Sequence, residues 1–518
     1  MDRNTVRGAA QPPPADLLGD WSQGPGPLYR RLADALARLI GEGALPAGGR
    51  LPSERELARG LAVSRATVVA AYDVLRAGGL ADSRPGSGTR VARRPRLTGP
   101  AADGRVPGGG ATSVTQRMVT RPERVISLGQ VVEPGSPDLA GALLDLVRED
   151  LPALLLDAGY HPAGLPALRA AIAAHHTAQG LPTVPEQVLV TTGATQALSL
   201  ATQLLVRRGG GVAVEAPSWP GCIDTFRAAG ARLVQVPMDD EGIRIDALAR
   251  VFRERQPAVV FTMPTCHNPT GVVMAHGRRR RLAELAAAHG VAVIEDNAHA
   301  AALPPGGAPP PLAALAPGDA LVLTLGSLSK AVWAGLRIGW VRAAPEVVEP
   351  LARLKARADL SSPLLDQALA ARLLPALPAG AAERGALRDE RLDHIERLLR
   401  DGVPAWRWRR PQGGSALWIE LPDRTDARAF AQVALRHGVE VVPGAAMDPD
   451  GGHDHCIRVP FSFPAEVLSA MADRLTAAWT EWTTRDTTAP GRDRTRGGGD
   501  HRGTDGLERD AGPASGAR

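Results

Sequence analysis

Short apolar runs alternate with longer segments of helical periodicity from about residue 124 to residue 484. The helix predicted over residues 278–289, for instance, places Leu282, Leu285 and Ala286 on one face. Apolar strands separated by helices are typical of a mostly parallel sheet that is covered on both faces. The predicted strands span residues 187–191, 211–215, 232–236, 258–262, 291–295, 320–324 and 337–341. The pattern predicts an α/β body built on a mostly parallel seven-stranded sheet.

The rest of the chain divides by composition. Within the body, residues 364–399 have a helical pattern and residues 405–482 have the pattern of a smaller α+β lobe. Residues 27–92 are compact and periodic, which predicts a separate N-terminal domain. Three Pro-rich, Gly-rich or polar segments lack a sustained apolar period. They are a predicted disordered arm at 1–26, a linker at 93–123 and a disordered tail at 485–518.

The N-terminal domain has the pattern of helices joined by a tight turn and followed by a hairpin. Apolar residues at helical spacing indicate a first helix over residues 28–40. Ser53 and Glu56 have the spacing of a capping box that begins a second helix. After a tight turn, Ser64 can cap a third helix, and a glycine-rich tip at 85–88 follows it. A helix that opens with polar residues after such a turn suits entry into the major groove of DNA.

The same domain is strongly basic. Residues 28–96 hold 13 arginines and six acidic residues, a net charge of +7, whereas the whole chain has a net charge of +5. A basic block on a near-neutral body indicates a polyanionic partner. The alternative is a solvated basic helical bundle, which the order of capped helices, turn and glycine-tipped hairpin argues against.

Two motifs carry a family resemblance for this domain. Leu-Pro-Ser-Glu-Arg-Glu-Leu-Ala from Leu51 and Val-Ser-Arg-Ala-Thr-Val from Val63 closely resemble the winged helix-turn-helix of the GntR family. The resemblance covers about residues 27–91 and implies double-stranded operator DNA as a partner. It also implies base or phosphate contacts from Arg55, Ser64, Arg65, Thr67, Pro85 and Gly86.

Lysine is almost absent from the chain. Of the 60 Lys and Arg residues, only Lys330 and Lys355 are lysines, and all the others are arginines. Arginine cannot form an imine, because its guanidinium stays protonated and delocalised. Lys330 ends the motif Ser-Leu-Ser-Lys after a predicted strand, a placement that suits a lysine holding a carbonyl cofactor as a Schiff base. The alternative is an ordinary loop lysine. Lys355 has no such neighbours and is expected to be a solvated helix residue.

Further polar motifs follow other predicted strands, at the edge of a parallel sheet where ligands bind. Ala194 and Thr195 open a helix whose backbone N–H groups can bind a phosphate. The Asn268 amide can donate to a phenolate oxygen. Asp296 can pair with a pyridine nitrogen, although a helix cap or salt bridge is the alternative. Trp219 can lie over a flat cofactor or pack in the core.

Two arginines complete this set. Arg337 follows Lys330 by seven residues and can neutralise a phosphate. Arg458 lies on a predicted strand and offers a planar fork for a substrate carboxylate. Most arginines are surface residues, so Arg458 is informative only together with the other motifs.

In chain order these motifs resemble fold-type I, aspartate aminotransferase-like proteins that bind pyridoxal 5'-phosphate. The resemblance runs over about 360 residues. It implies Lys330 as the Schiff-base lysine, Asp296 on the pyridine nitrogen and Asn268 on the ring oxygen. Arg458 would bind a substrate carboxylate, and Tyr160 would be lent across a dimer interface. The residues around the cofactor phosphate would be Ala194, Thr195, Ser327, Ser329 and Arg337.

Two positions depart from this family. A tyrosine usually follows the aspartate closely, whereas here Asp296 is followed by Asn297, Ala298 and His299. Either His299 replaces the contact to the ring oxygen, or that contact is lost. Trp219 stands where related regulators more often have tyrosine. Both departures bear on efficient turnover more than on cofactor binding.

Composition excludes other classes. Three scattered cysteines are too few for a disulfide framework or a Cys-rich metal site, and they fit a reducing cytosol. No metal site is predicted. No apolar run reaches the length of a membrane span, and the polar N-terminus lacks the order of a signal peptide. We expect a cytoplasmic protein without a membrane partner.

A GntR-type head joined by a linker to an aminotransferase-like body resembles the MocR subfamily of bacterial transcription regulators, which implies a homodimer. The first interpretation is a regulator that responds to pyridoxal phosphate, or to its imine with a small amino compound. The second is an active pyridoxal-phosphate-dependent aminotransferase that carries a DNA-binding domain. In the third, the cofactor site is retained only as a scaffold.

Overall fold

The structure, a computed structural model, describes residues 14–23, 26–84, 88–92, 125–129, 135–300, 303, 307, 309–318 and 320–488. The predicted linker lies outside these residues, as do Pro85 and Gly86 of the predicted DNA-binding face. The predicted tail is also outside them from residue 489 onward. Residues 485–488, which were expected to be disordered, continue the last helix, because no proline or glycine interrupts the sequence before Pro490.

The N-terminal head has the helices, turn and hairpin that the sequence predicts. Its elements are α1 (Pro14–Leu17), α2 (Leu28–Gly41), α3 (Glu54–Gly60), α4 (Arg65–Ala77), β1 (Ala81–Arg84) and β2 (Gly88–Val91). The Ser53 hydroxyl accepts the Glu56 N–H at 3.2 Å, and the Glu56 carboxylate accepts the Ser53 N–H at 3.4 Å. The Ser64 hydroxyl accepts the Thr67 N–H at 3.1 Å. Side-chain caps at both helix starts therefore fix the turn that presents α4.

The prediction of a disordered arm is wrong for residues 14–23, which pack against the head and the C-terminal part of the body. Leu18 and Trp21 are buried. The Trp21 indole N–H donates to Gln432 Oε1 at 3.3 Å, and the Gln432 amide donates to the Ala15 carbonyl at 3.2 Å. The proline and glycine content of the arm concealed a short apolar segment, and burying an aromatic side chain offsets the entropy of ordering it.

The body begins with β3 (Ile126–Ser127), and its main sheet contains the seven predicted strands and one more. These strands are β4 (Val188–Thr191), β5 (Gly211–Ala216), β6 (Arg232–Asp239), β7 (Gly242–Ile243), β8 (Val259–Thr262), β9 (Ala292–Asp296), β10 (Val322–Ser327) and β11 (Gly339–Arg342). Their order is β4, β11, β10, β9, β8, β5, β6, β7. Pairings among β5, β6, β8, β9 and β10 are parallel, and β11 is antiparallel to both neighbours. The additional strand, β7, is a two-residue antiparallel edge that is too short to leave an alternating pattern.

Helices cover both faces of this sheet. They are α5 (Asp138–Asp145), α6 (Leu151–Leu154), α7 (Pro166–Ala178), α8 (Ala194–Leu205), α9 (Pro220–Ala228), α10 (Ile245–Arg255), α11 (His276–His289), α12 (Leu312–Leu315), α13 (Pro345–Asp359), α14 (Leu364–Leu373) and α15 (Ala381–Gly402). One core packs Leu198 and Phe226 against the strands, and another packs Leu248 and Leu282. The predicted helix at 364–399 is divided into α14 and α15, because Pro375, Pro378 and Gly380 interrupt it. None of the described helices is long and apolar enough to cross a membrane.

A smaller lobe follows, as predicted. It contains β12 (Arg407–Trp408), β13 (Ala416–Glu420), α16 (Ala427–Arg436), β14 (Val439–Glu440), β15 (Val442–Pro443), β16 (Cys456–Pro460) and α17 (Ala465–Thr488). Trp406, Phe430 and Trp479 meet edge to face in its core, with ring centroids 5.6–5.7 Å apart. Ala62 of the head and Trp482 of α17 pack against the same core. The lobe therefore contacts the head directly.

Lys355 is not the solvated residue that its sequence context predicts. It is completely buried on α13, where its ammonium lies 2.7 Å from Asp359 Oδ1. The other oxygen of Asp359 accepts a hydrogen bond from the Gln196 amide at 2.7 Å. The aliphatic stem of a lysine can cover apolar surface, and a carboxylate one helical turn later satisfies the charge.

We expect Trp21→Ala to loosen the head from the lobe, because it removes the buried indole and its hydrogen bond to Gln432. Calorimetry should show the head unfolding separately and at a lower temperature than the rest of the protein, with a loss of roughly 2–4 kcal/mol in the free energy of unfolding. Trp21→Phe is the matched control, which keeps most of the apolar contact and should lose about 1 kcal/mol. A Trp21→Ala melting profile identical to that of the wild type would contradict this docking.

Candidate cofactor site and DNA-binding face

The carboxyl ends of β9 and β10 bring the two main predicted residues to one edge of the sheet. The strands are parallel, and Leu325 pairs with Asp296 in their register. Lys330 lies in the turn that follows β10 and is half-buried. The predicted neighbourhood of Lys330 and Asp296 therefore follows from strand direction alone.

The Asp296 carboxylate is buried, with 7% of the residue exposed. It accepts one hydrogen bond, from the Ala298 N–H at 2.9 Å. Burial raises the pKa of Asp296 to about 6, and the neighbouring Glu295 adds to the rise. Asp296 forms no salt bridge with any residue that the structure describes, so that alternative interpretation does not hold. This carboxylate is suited to a cationic partner that enters the site.

His299 lies close to Lys330 and Arg458. Burial lowers the pKa of His299 to about 3, and the positive charges of Lys330 and Arg458 lower it further. Its ring is therefore neutral at ordinary pH. Its Nδ1 is buried and has no hydrogen-bond partner among the described residues. A neutral ring with an unsatisfied nitrogen fits the prediction that His299 faces a ligand.

Arg458 and Asn268 are in contact, although they are far apart in the sequence. The guanidinium donates to Asn268 Oδ1 at 3.3 Å and to the carbonyl oxygens of Leu128 and Gly129, each at 2.9 Å. Burial lowers the pKa of Arg458 to about 10. Its Nε is buried and unbonded within the described part of the chain. The Asn268 oxygen is thus occupied, which leaves its amide N–H groups to face a ligand.

The predicted phosphate-binding residues surround the N-terminus of α8, which begins at Ala194 and Thr195. Gly193 precedes them with φ 110°, a conformation that favours glycine. The Arg337 guanidinium donates to the Thr192 carbonyl at 2.8 Å. It lies so close to Gly193 that a Cβ there would be 2.8 Å from its Nη2. Backbone donors and a guanidinium converge here as an anion requires.

Ser327 and Ser329 lie beside this helix start. Ser327 pairs with Gly339 across β10 and β11, and Gly339 pairs with Thr191 of β4. The Ser327 hydroxyl accepts the Ser329 N–H at 3.2 Å. Ser327 therefore ends β10 opposite Gly339, which closely approaches the start of α8 at Gly193 and Ala194, and Ser329 follows in the turn.

Trp219 and Tyr160 are placed differently from the other predicted residues. Trp219 is half-buried, folds over Gly221 and packs against the core beneath the sheet, as its alternative interpretation proposed. Its stacking on a cofactor stays a prediction. Tyr160 is 69% exposed, so a single chain does not bury it in the site. Its role across a dimer interface also stays a prediction.

The sequence did not reveal several polar residues at this edge. Glu215, at the end of β5, is completely buried and accepts the Thr262 hydroxyl at 2.6 Å and the Met263 N–H at 2.8 Å. Burial raises the pKa of Glu215 to about 7. His267 Nε2 lies 3.5 Å from this carboxylate. The available signal was a lone acid in an apolar strand.

On the head, the predicted DNA-binding residues gather at the start of α4. Arg55 and Ser64 are exposed, and Arg65 is exposed while it pairs with Glu54 at 2.8 Å. The hydroxyls of Ser64 and Thr67 are 2.8 Å apart. Ser64 and Thr67 also line a cavity of about 570 Å³ whose other wall includes Trp21, Arg436 and Trp482. The first turn of α4 therefore faces the lobe.

Comparison with known proteins agrees with this two-part architecture. Residues 157–475 match the family of aminotransferases of class I and II, and residues 28–91 match the bacterial regulatory proteins of the gntR family. The uncharacterized HTH-type transcriptional regulator YisV of Bacillus subtilis is 30% identical over 456 residues, which are 84% of this chain and 92% of YisV. The chain belongs to the MocR-type regulators of the GntR family. The MocR protein of Rhizobium meliloti, described as a probable rhizopine catabolism regulatory protein, is 32% identical over 358 residues, 66% of this chain and 70% of MocR.

A solved structure relates the body of this MocR-type regulator to enzymes. LysN of Thermus thermophilus, an alpha-aminoadipate aminotransferase complexed with N-(5'-phosphopyridoxyl)-L-leucine, is 31% identical. The match has a TM-score of 0.63 and covers 70% of this chain and 94% of LysN. The head is thus a DNA-binding domain of the GntR type, and the body has the fold of pyridoxal-phosphate-dependent aminotransferases.

We expect Asp296→Asn to stabilise the cofactor-free protein as pH rises. The folded pKa of about 6 exceeds the ordinary value of 3.8, so the folded state binds more protons between these values. Aspartate therefore costs stability as pH rises through this range, up to about 3 kcal/mol above pH 7. Urea unfolding at several pH values should show the advantage of asparagine growing from about pH 4 to pH 7. A difference in the free energy of unfolding between Asp296→Asn and the wild type that does not change with pH would contradict the uncompensated burial of Asp296.

Gly339→Ala should disrupt the predicted phosphate site. Its Cβ would lie 2.6 Å from the Gly193 carbonyl carbon, a backbone atom that strand pairing holds in place. We expect a lower melting temperature, equivalent to roughly 1–3 kcal/mol. Gly277→Ala is the matched control, because a Cβ at this exposed helical position would meet no atom within 4 Å. It should stabilise the protein by up to about 1 kcal/mol. Equal changes in melting temperature for the two substitutions would refute the close approach of Gly339 to Gly193.

Proposed function

We propose that this regulator binds pyridoxal 5'-phosphate at Lys330 and that the bound cofactor, alone or with a small amino compound, changes how the head binds operator DNA. When bound, the cofactor supplies a carbonyl carbon that exchanges amines and a ring that withdraws electrons from them. The observation that carries the proposal is the buried, unpaired Asp296 carboxylate at the same sheet edge as Lys330.

Each side of this site suits one part of the cofactor. Asp296 would hold a protonated pyridine nitrogen, because pairing with a cation relieves its buried charge. Asn268 would donate its free amide N–H to the ring oxygen, with neutral His299 beside it. The phosphate would be bound by Ala194, Thr195, Ser327, Ser329 and Arg337.

The lobe offers a physical connection between the site and the head. Arg458 lies on β16 between Ile457 and Val459, which belong to the lobe core. Ala62 of the head packs against that core, and Gln432 of α16 is hydrogen-bonded to the arm. A ligand that draws Arg458 from its backbone carbonyl partners would therefore shift the surface on which the head rests. The ligand changes DNA binding only if it binds the two arrangements unequally.

A homodimer is part of the proposal. Five apolar side chains are exposed next to one another in sequence on α5, α6 and the segments that adjoin them. They are Leu143, Leu144, Val147, Leu155 and Leu156. Monomeric proteins rarely expose such a group, so a second copy is the expected cover. The exposed Tyr160 follows this group closely and would then reach the partner's site.

An active aminotransferase is the second candidate function. It is favoured by the predicted residues that gather at the site, which exclude Trp219 and Tyr160, and by the similarity to LysN. The chain lacks a tyrosine after Asp296, and His299 is held neutral by burial. These features favour a single exchange of amines over sustained turnover. Steady-state assays with several amino donors and keto acids should therefore show little or no turnover.

The decisive variants are Lys330→Ala and Lys330→Arg, because arginine keeps the positive charge and cannot form an imine. Operator duplexes selected by the wild-type protein would be titrated with and without pyridoxal phosphate and mixed amino acids. We expect the wild-type affinity to change about 5- to 150-fold, and both variants to show no change and no visible cofactor absorbance.

Several results would decide between the alternatives. Unchanged wild-type affinity in the presence of both ligands would overturn the regulatory proposal. Rapid steady-state transamination would favour the enzyme. Absence of visible cofactor absorbance in the wild-type protein would favour a site kept only as a scaffold. Operator binding should weaken steeply with salt in every case, because the head is rich in arginine.

A further inference from the structure

A cavity of about 400 Å³ lies beside Lys330, and Asp296, Asn268 and Arg337 are not among the residues that line it. Lys330 and Ala331 form part of one wall, and Ser136 and Asp138 at the start of α5 form another. The other walls are one side of α15 with the turn before it, and Ser415, Phe461 and Ser462 of the lobe. This cavity is where an amino compound that reacts at Lys330 would place the rest of its structure.

Three arginines of α15 line this cavity. Arg384, Arg388 and Arg391 are spaced four and three residues apart, so they share one face of the helix. The Arg391 guanidinium donates to the Ser462 carbonyl at 2.9 Å. This carbonyl lies four residues after Arg458, the predicted carboxylate-binding residue. We call Arg384, Arg388 and Arg391 the α15 arginine face.

Donors on this face are not fully used. Arg388 is bound to Asp389 through Nε at 3.1 Å and Nη2 at 2.7 Å, while its Nη1 is buried and has no partner among the described residues. Arg384 donates to the Leu377 carbonyl at 2.6 Å, and its Nε is likewise buried and unbonded in the described part of the chain. Buried donors without acceptors are costly, so a rotation toward an entering acceptor is favoured.

Basic side chains outnumber acidic ones around this cavity. Four basic residues line it together with two acidic ones, Asp138 and Glu383, which both act on Arg384. Asp389 accepts hydrogen bonds from Arg388 Nε and Nη2. The positive charge of Arg388 also reaches Cys266, which lines the small cavity formed with Asn268 and His299. Ser415 borders both cavities.

The geometry points to an effector with two anionic groups: we propose that the α15 arginine face binds a second, distal anion of an amino acid whose amino group would replace the Lys330 amine on the carbonyl carbon of the bound cofactor and so release that lysine. Arg458 would bind the first carboxylate and Arg388 the distal one. The effector class is thus acidic amino acids rather than amines with apolar or cationic side chains. This inference rests on the proposed function, because it needs the amine to react at Lys330.

The test compares acidic amino acids with neutral isosteres on the protein loaded with pyridoxal phosphate. L-aspartate, L-glutamate and L-2-aminoadipate would be titrated against L-asparagine, L-glutamine and L-norleucine, with the change in visible absorbance as readout. At least one acidic ligand should bind about tenfold or more tightly than its neutral counterpart, as a charge-assisted hydrogen bond provides. Absence of any acidic preference in the wild-type protein would overturn the proposal.

Variants of α15 assign the preference to a residue. Arg388→Gln should abolish the preference and leave the affinity for neutral ligands unchanged, whereas Arg388→Lys should keep part of it. Arg397→Gln is the matched control, because Arg397 is exposed on the same helix and lies outside the cavity lining. A preference that survives in both Arg388→Gln and Arg391→Gln would overturn the assignment to this face. Circular dichroism would confirm that each variant is folded.

A binding measurement that does not need the cofactor separates this inference from the proposed function. Glutarate has two carboxylates and no amino group, so calorimetry can measure its binding to cofactor-free protein. Glutarate binding that is lost in Arg388→Gln would support the α15 arginine face. If the wild-type protein showed that binding but no cofactor absorbance, the proposed function alone would be rejected. No glutarate binding to the wild-type protein, with normal cofactor absorbance, would reject the arginine face alone.

Discussion

The site depends on a carboxylate that the fold buries without a charged partner among the residues that the structure describes. Asp296 ends a buried strand that contains three apolar residues and Glu295, and the Ala298 N–H donates to it. Burial raises the pKa of this carboxyl to about 6. The arrangement costs stability in the cofactor-free protein, and the proposed pairing with a cationic ring would recover that cost. Lys330 and His299 lie at the same edge because the parallel strands β10 and β9 end there together, and β16 of the lobe brings Arg458 close to His299.

The lobe gives this site a route to the DNA-binding head. Its core joins the strand that carries Arg458 to the helix that carries Gln432, and Gln432 and Trp21 connect that helix to the arm. Interior packing is dense, so a shift at one end of such a core is transmitted rather than absorbed. The first turn of α4, which presents Ser64 and Thr67, faces the lobe across a cavity. One packed lobe therefore joins the predicted cofactor site to the DNA-binding head.

Local signals in the sequence were sufficient for most of the fold. Seven strands, the capped helices of the head and the grouping of Lys330 with Asp296 all follow from period, capping residues and strand direction. Long-range packing was not predictable in this way. Lys355 can be buried because Asp359 pairs with its ammonium group among the surrounding helices. Residues 14–23 are ordered because Trp21 donates a hydrogen bond to Gln432, which lies more than 400 residues later in the chain. The α15 arginine face was missed for the same reason, since its arginines resemble ordinary surface residues in sequence.

The most direct test of the account is hydrogen–deuterium exchange across the head–lobe contact, with and without saturation of the Lys330 site. Amide exchange would be followed for residues 14–23 and for the first turn of α4, while visible absorbance reports cofactor occupancy. The account predicts that saturation by pyridoxal phosphate and an amino ligand changes the exchange protection of both segments in the wild-type protein and in neither segment of Lys330→Ala. Identical exchange at full occupancy would contradict a coupling between the site and the head.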